Sequence, residues 1–333
     1  MHYLRFIFGI IFIVILTFIL YIKNQPSQYR VSRSIYTSIP APTLYNYLND
    51  FENWPEWNPW ILEDPEIKLS FNRDNSNHPG YLWEGKDGSG SMKTLATKAP
   101  FKIEQQMTFE SFPSSNVRWN IKKNSDSLEW IMEGGMIFPM KIFTLQMGSM
   151  DAMIGPYYKK GLRAIDSILT IKLNEHRFEY KDTVILPKQF YLSRSFNSDT
   201  TALDSLIKIG SQELYEFAES KNLNITGALF TISPQSEFKT STWSIGIPIE
   251  GYFKTDHPAI KCRYSKERMA LKGIHLGSLK NIKKSWEIMT EKINLMNPKL
   301  QYYPMTIYKV DKKSNPDPLA WETELLYHID EPK

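Results

Sequence analysis

The sequence predicts an α+β protein: an N-terminal transmembrane helix, then an antiparallel sheet closed by a long helix, then a domain made of a duplicated strand-helix-strand-strand unit. Three observations lead there. Seventeen uncharged residues run from Phe6 to Ile22. Short segments of alternating apolar and polar residues, separated by Gly and Pro, follow one another through the first half. The second half repeats itself at an offset of 76 to 78 residues, with Leu203 matching Leu279, Thr231 matching Tyr308 and Trp243 matching Trp321.

Composition sets the outer limits. At 333 residues the chain has room for two folded units of roughly 100–200 residues each. Hydrophobic residues at 42% and charged residues at 23% exclude disorder and a polytopic membrane protein. The net charge of +4 comes from 40 basic and 36 acidic side chains, without a run of five or six like charges, so no nucleic-acid partner is expected. The single cysteine, Cys262, excludes an internal disulfide and a Cys-based zinc site, and is compatible with a reducing or an oxidising compartment. Aromatic residues reach 14%, with nine Trp, more rings than a Leu/Val core needs.

The first element is the apolar run. A helix from Phe6 to Ile22 spans about 26 Å at 1.5 Å per residue, close to the ~30 Å hydrocarbon core. Tyr3 and Tyr21 fall at its ends, and Arg5 and Lys23 can snorkel outward. A cleaved signal peptide is the alternative, but KNQPSQYR offers no small-x-small cleavage site. The reading is a single-pass anchor, residues 1–23, in contact with the lipid bilayer through residues 4–22. Basic residues lie on both sides of it. The very short basic head is the signal-anchor layout, which places the soluble part outside, in the periplasm of a bacterium.

Residues 24–30 read as a linker and 31–173 as the first domain. VSRSIYTSI is a strand with Val31, Arg33, Ile35 and Thr37 on one face. Pro40 and Pro42 then start a helix in which Leu44, Tyr47, Leu48 and Phe51 recur at helical spacing, and Trp54-Pro55 lies beyond its end. Strand-like runs follow from EIKLSFN to SLEWIMEGG, an antiparallel meander. From Phe143 to Leu173 one long helix is expected, with Met147, Met150, Ile154, Tyr158, Leu162, Ile165 and Leu169 on its stripe.

This order, with VSRSIYTSIPAPTLYNYLNDFENWPEWNPW at the start and MIGPYYKKGLRAIDSIL at the end, resembles the START-like (SRPBCC) superfamily of polyketide cyclase and dehydrase-type lipid-transport proteins over about residues 31 to 171. The resemblance implies a helix-grip domain, in which a curved sheet holds the C-terminal helix above a cavity for an apolar or aromatic ligand. Six of the nine Trp fall in this span: Trp54, Trp57, Trp60, Trp83, Trp119 and Trp130. Of these, Trp57, Trp60, Trp83, Trp119 and Trp130 are candidate ligand contacts. Each strand Trp puts its ring on one side of the sheet, and register decides whether that side is the cavity. Rings that merely fill the core are the alternative for each one alone; together, a pocket partly filled by rings is the preferred reading.

In the second half each repeat reads strand, helix, strand, strand. FYLSRSF opens the first and TWSIGIPIEG closes it; RMALKGIH opens the second and AWETELLYHI closes it. Two such units can pair into one sheet with both helices on one face and a concave surface along a pseudo-twofold axis. The half from about 180 to 330 resembles the GyrI-like small-molecule-binding domain, the effector-binding domain attached to AraC- and MerR-type regulators. The residues carrying this are Gly246-Ile247-Pro248-Ile249, Gly273-Ile274-His275-Leu276-Gly277, Trp286, Tyr308 and Trp321-Glu322-Thr323-Glu324. The resemblance implies a groove with aromatic walls for drug-like, often cationic compounds, and makes Trp243, His275, Trp286, Tyr308 and Glu324 candidate ligand contacts. The family's usual glutamate two residues before the strand Tyr falls at Thr306. That removes a charge that would offset burial of a cation, and with it support for a cationic ligand or a hydrolase activity. A solvated strand glutamate is the other reading of Glu324, and a hydrogen-bonded structural histidine that of His275.

Catalytic patterns are scarce. The 80–86 segment has phosphate-loop spacing, but Asp87 stands where Ser or Thr must hold magnesium. The six His, at positions 2, 78, 176, 257, 275 and 328, lack ligand spacing. No catalytic residue, metal or cofactor is therefore assigned. The expectation is a membrane-anchored protein, possible as a ligand sensor, that binds apolar or amphipathic small molecules. The alternative is a cyclase or hydrolase acting on a lipid-like or cyclic substrate through Glu84, Glu324 or Cys262.

Overall fold

The computed structural model describes residues 2–72, 79–86, 88–110, 112–122, 126–197, 203–233, 242–296 and 304–329. His78 and Asp87 fall outside these. The chain forms two compact units, Met1–Ile171 and Lys172–Lys333, each with one antiparallel sheet.

The apolar run is helix α1 (His2–Asn24). Among the described residues it is the one helix long and apolar enough to cross a membrane, a test that a signal sequence also passes. Strand β1 (Gln28–Tyr36) begins only four positions later, so the segment expected as a linker already pairs: Tyr29 lies opposite Gly134 and Arg30 opposite Glu133.

The first sheet contains β1, β2 (Lys68–Asn72), β3 (Gly80–Gly85), β4 (Gly88–Lys98), β5 (Lys102–Phe109), β6 (Ser115–Lys122) and β7 (Ser127–Gly135). Its order is β1-β7-β6-β5-β4-β3-β2, a meander whose last strand returns to pair with its first. Pro40 and Pro42 bracket the start of α2 (Ala41–Asn49), which buries Leu44, Tyr47 and Leu48.

The single helix expected from Phe143 onward is two helices, α4 (Phe138–Met147) and α5 (Met150–Asn174). The break is local. Gly148 takes φ +97°, a left-handed conformation that ends α4 with its N–H donating to Thr144 O, and Ser149 Oγ accepts from Ala152 N to start α5. From α5, Tyr158, Leu162, Ile165 and Leu169 are buried at spacings of four, three and four, the helical stripe that meets the sheet.

The second sheet runs β12-β9-β11-β10-β14-β15-β13-β8. The first repeat supplies β9 (Gln189–Asn197), α6 (Leu203–Ser220), β10 (Phe230–Ile232) and β11 (Thr242–Ile249). The second supplies β13 (Arg268–Leu276), α7 (Ile282–Met296), β14 (Met305–Val310) and β15 (Glu322–Ile329). The order within one repeat mirrors that in the other about the β10–β14 contact. There Phe230 faces Ile307, 77 positions on, so the sequence offset and the pseudo-twofold axis agree. Strands β8 (Arg177–Leu186) and β12 (Ile260–Ser265) extend the two edges. Leu214 and Ala218 of α6 pack with Leu192, Ile245 and Ile247, and Met289 and Ile293 of α7 with Leu271. Their chain neighbours Tyr191 and Ala270 join Phe230, Met305 and Leu326 in a separate cluster. Because alternate strand residues face opposite ways, both helices lie on one face and that cluster on the other.

Candidate functional site

The first unit holds a cavity of about 620 Å3, within the range of small-molecule sites. Its sheet wall follows from register. Tyr81 lies opposite Met92, Met92 opposite Met107, Met107 opposite Ser115, Ser115 opposite Gly134, and Gly134 opposite Tyr29. This single row crosses six strands, and its five side chains all reach the cavity. Glycine is required at 134, since a Cβ there would stand 2.8 Å from the Tyr29 ring. That close approach lets the Tyr29 hydroxyl meet Ser115 Oγ at 2.6 Å, and burial pushes the phenol above its ordinary pKa despite this contact.

Two rows along, Trp119 and Trp130 face each other across β6 and β7. Their rings stack at 4.4 Å, and Trp130 stacks in turn on Tyr158 of α5 at 3.7 Å and 7°. The two indoles differ in their polar ends. Trp119 Nε1 donates to Gln105 Oε1 at 3.0 Å, whereas Trp130 Nε1 is buried with no hydrogen-bond partner among the described residues. Trp130 reaches the cavity and Trp119 does not.

Helix α3 (Pro59–Glu63) sets the position of Trp60. Asn58 caps it, accepting from Trp60 N at 3.1 Å, and Pro59 fills its first position. Trp60 then stacks on Tyr157 of α5 at 4.9 Å and 11°, and both line the cavity. Trp83 does so as well, its ring lying over Gly90 directly across the ladder, where a Cβ would come within 2.3 Å of it. Trp57 is fully buried against Trp119 and Trp130 without reaching the cavity, while Trp54 reaches it.

The acids at this site are occupied. Glu63 pairs with Lys160 at 2.8 Å, and this hydrogen bond holds its carboxyl below the ordinary range. Asp64 accepts from the Lys86 backbone N–H at 3.1 Å. Glu84 alternates with Trp83, so it is exposed on the opposite face of β3. What the sequence reading missed is methionine: Met92, Met107, Met132, Met140, Met150 and Met153 line the cavity along with the rings. The available signal was that the first three occupy alternating strand positions, where flexible thioethers fill irregular gaps.

In the second unit the five candidates do not share one surface. His275 sits beneath α7. Its Nδ1 lies 2.7 Å from Ser285 Oγ and its Nε2 3.0 Å from Ser278 O, and His176 Nε2 approaches the same serine at 2.9 Å. With Nε2 donating to the carbonyl, Nδ1 accepts from the hydroxyl, which suits a neutral ring; burial holds its pKa below 6.5. Trp243 and Tyr308 lie on the helix-covered face, and Trp286 of α7 meets Tyr327 edge-on at 5.4 Å. Glu324 lies on the other face, in line with Leu326. It is buried, and Lys272 Nζ stands 2.5 Å from its Oε1, so the carboxylate is neither solvated nor unpaired. Cys262 is half-buried and its Sγ accepts from Phe253 N at 3.4 Å. No cluster of three potential metal ligands occurs among the described residues.

No family model matches this chain, and no curated protein matches it. Among solved structures, the C-terminal domain of EcmrR is 15% identical, with a TM-score of 0.39, over 47% of this chain and 99% of that one. A protein from Chromobacterium violaceum is 10% identical, with a TM-score of 0.32, over 43% and 98%. The Zhui aromatase/cyclase from Streptomyces sp. R1128 is 9% identical, with a TM-score of 0.34, over 44% and 96%.

Proposed function

We propose that this chain is a single-pass membrane-anchored binding protein that takes an apolar or amphipathic small molecule into the cavity of its first unit. The observation carrying this reading is the cavity itself, about 620 Å3 walled by aromatic rings and methionines. Burial of ligand surface at about 25 cal/mol per Å2 supplies the affinity. The acids near the cavity are engaged in other contacts, which favours binding over acid-base chemistry. Helix α1 serves as the anchor, and its exposed apolar side chains from Phe6 to Tyr21 suit contact with lipid. The second unit is proposed to act as an effector-type module whose ligand-facing side is the face carrying Glu324 and Lys272.

Native mass spectrometry of the full chain, extracted from its source membranes in mild detergent, tests the reading. A reproducible bound species is expected, and Ile154→Trp, which narrows the cavity, lowers its occupancy. A chain that is empty on extraction, and whose melting temperature ignores a panel of lipids and aromatic compounds, refutes it.

A further inference from the structure

Helix α4 has its charge inside and its apolar residues outside. In FPMKIFTLQM the one charged residue, Lys141, is buried, while Phe138, Ile142, Phe143, Leu145 and Met147 are exposed. A surface helix of a water-soluble domain shows the opposite arrangement. Phe138, Ile142 and Leu145 follow one another at spacings of four and three, one stripe with Lys141 at its edge, while Phe143 and Met147 fall on the opposite side of the helix.

The location of this stripe tells what it faces. Lys141 Nζ donates to Lys23 O at 3.2 Å and to Gln25 O at 2.7 Å, the carbonyls where α1 ends. A helix C-terminus leaves carbonyls without intrahelical partners and carries partial negative charge, so an ammonium there is held by both effects. Ile22 is buried at the same junction, and Met136 N donates to Ser27 O just ahead of α4. The apolar face of α4 is thus fastened at the level where α1 finishes.

We infer that α4 lies in the headgroup layer of the bilayer that α1 enters, with Phe138, Ile142 and Leu145 in contact with lipid. This rests on the reading of α1 as an uncleaved anchor. Helices of this kind bury their apolar face about 5–10 Å into the boundary between headgroups and acyl chains. Pro139, Met140 and Phe143 of the same helix line the cavity, so one short helix separates the binding site from the membrane surface.

Depth-dependent quenching tests this. The full chain, carrying Cys262→Ser, receives one fluorophore-labelled cysteine at Ile13, Ile142, Leu145 or Tyr36, the last an exposed position on β1. It is reconstituted into phosphatidylcholine vesicles. Expected are strong quenching of Ile13 by deep brominated lipid, of Ile142 and Leu145 by shallow brominated lipid, and of Tyr36 by aqueous iodide alone. If Ile13 is deep but Ile142 and Leu145 respond only to iodide, the α4 inference is overturned and the anchor stands. If Ile13 itself is quenched by iodide, the anchor reading fails and takes the inference with it. Labels on α4 that neither quencher reaches overturn it in favour of a protein contact.

Discussion

Trp119 and Trp130 offer a comparison that isolates the worth of a buried indole N–H, because each can be replaced by Phe at similar cost in apolar contact. Removing the second ring of a buried indole exposes or vacates roughly 40 Å2, about 1 kcal/mol at 25 cal/mol per Å2. At Trp119 the change also removes the donor to Gln105 Oε1. Gln105 is buried and its Nε2 already lacks a partner, so the amide is left wholly unsatisfied, at about 1–3 kcal/mol more. At Trp130 the change removes an N–H that has no partner, relieving a penalty of the same size. Trp119→Phe is therefore expected to destabilise the first unit by at least about 2 kcal/mol more than Trp130→Phe does, or about 4–8 °C in melting temperature for a unit of this length. Hydrogen exchange of the β6 and β7 amides reads the difference directly. Equal losses, or a larger loss at Trp130, would mean that its N–H is already satisfied and would refute the argument.

Further outcomes are expected elsewhere in the molecule. Lys141→Met keeps the side-chain length but removes both bonds to the end of α1; faster exchange of the α4 amides, by about 1.5–3 kcal/mol in opening free energy, should follow. Gly155 lies under the Arg33 guanidinium, which pairs with Asp151 through two contacts of 2.7 and 2.9 Å. In Gly155→Ala a gain of about 1 kcal/mol in helix propensity offsets the loss of an exposed ion pair worth about 1 kcal/mol or less, so urea unfolding should move little; a loss above about 2 kcal/mol counts against that balance. Gly246→Ala drives a Cβ to 2.3 Å from the buried Phe230 ring and should cost the second unit about 1–3 kcal/mol in calorimetry. His275 is held below its ordinary pKa of 6.5 by burial, so the folded unit binds fewer protons than the unfolded chain. Its contribution is complete above about pH 6.5 and is lost as pH falls below that value, and His275→Gln should flatten this part of the melting profile.

Local order was legible wherever a short segment carries its own period. Val31, the alternation in NVRWNIKKN and the stripe of Tyr158, Leu162, Ile165 and Leu169 each placed an element of the right kind. The repeat offset placed the pseudo-twofold axis, since two copies of one unit must meet through equivalent residues, here Phe230 and Ile307. Strands β8 and β12, which the same axis relates, escaped notice because each is completed by the other repeat: β8 precedes β9 but pairs with β13, and β12 precedes β13 but pairs with β9. On β8 the alternation is even reversed midway: the ladder skips Lys181, beside Asp182 at φ +63°, so Phe178 and Tyr180 join the cluster under α7 while Val184 and Leu186 join the other.

By itself, then, the sequence determined the type and order of the elements, the duplication, the apolar first helix and the surplus of rings, because each is a property of composition or of spacing along the chain. Tertiary structure alone decided which rings reach the cavity: Trp119 and Trp130 are direct partners in one row of the sheet, and they differ in what packs on them, Trp54 and Trp57 on Trp119, Trp60 and Tyr158 on Trp130. It also decided that Glu324 is neutralised, because Lys272 lies 52 positions away and is brought to it by the pairing of β13 with β15. The outward-facing apolar stripe of α4 was hidden for the same reason. Spacing shows that a helix has two faces, but only the cavity contacts of Pro139, Met140 and Phe143 show which face is turned inward, and only the contact of Lys141 shows that the other lies at the end of α1.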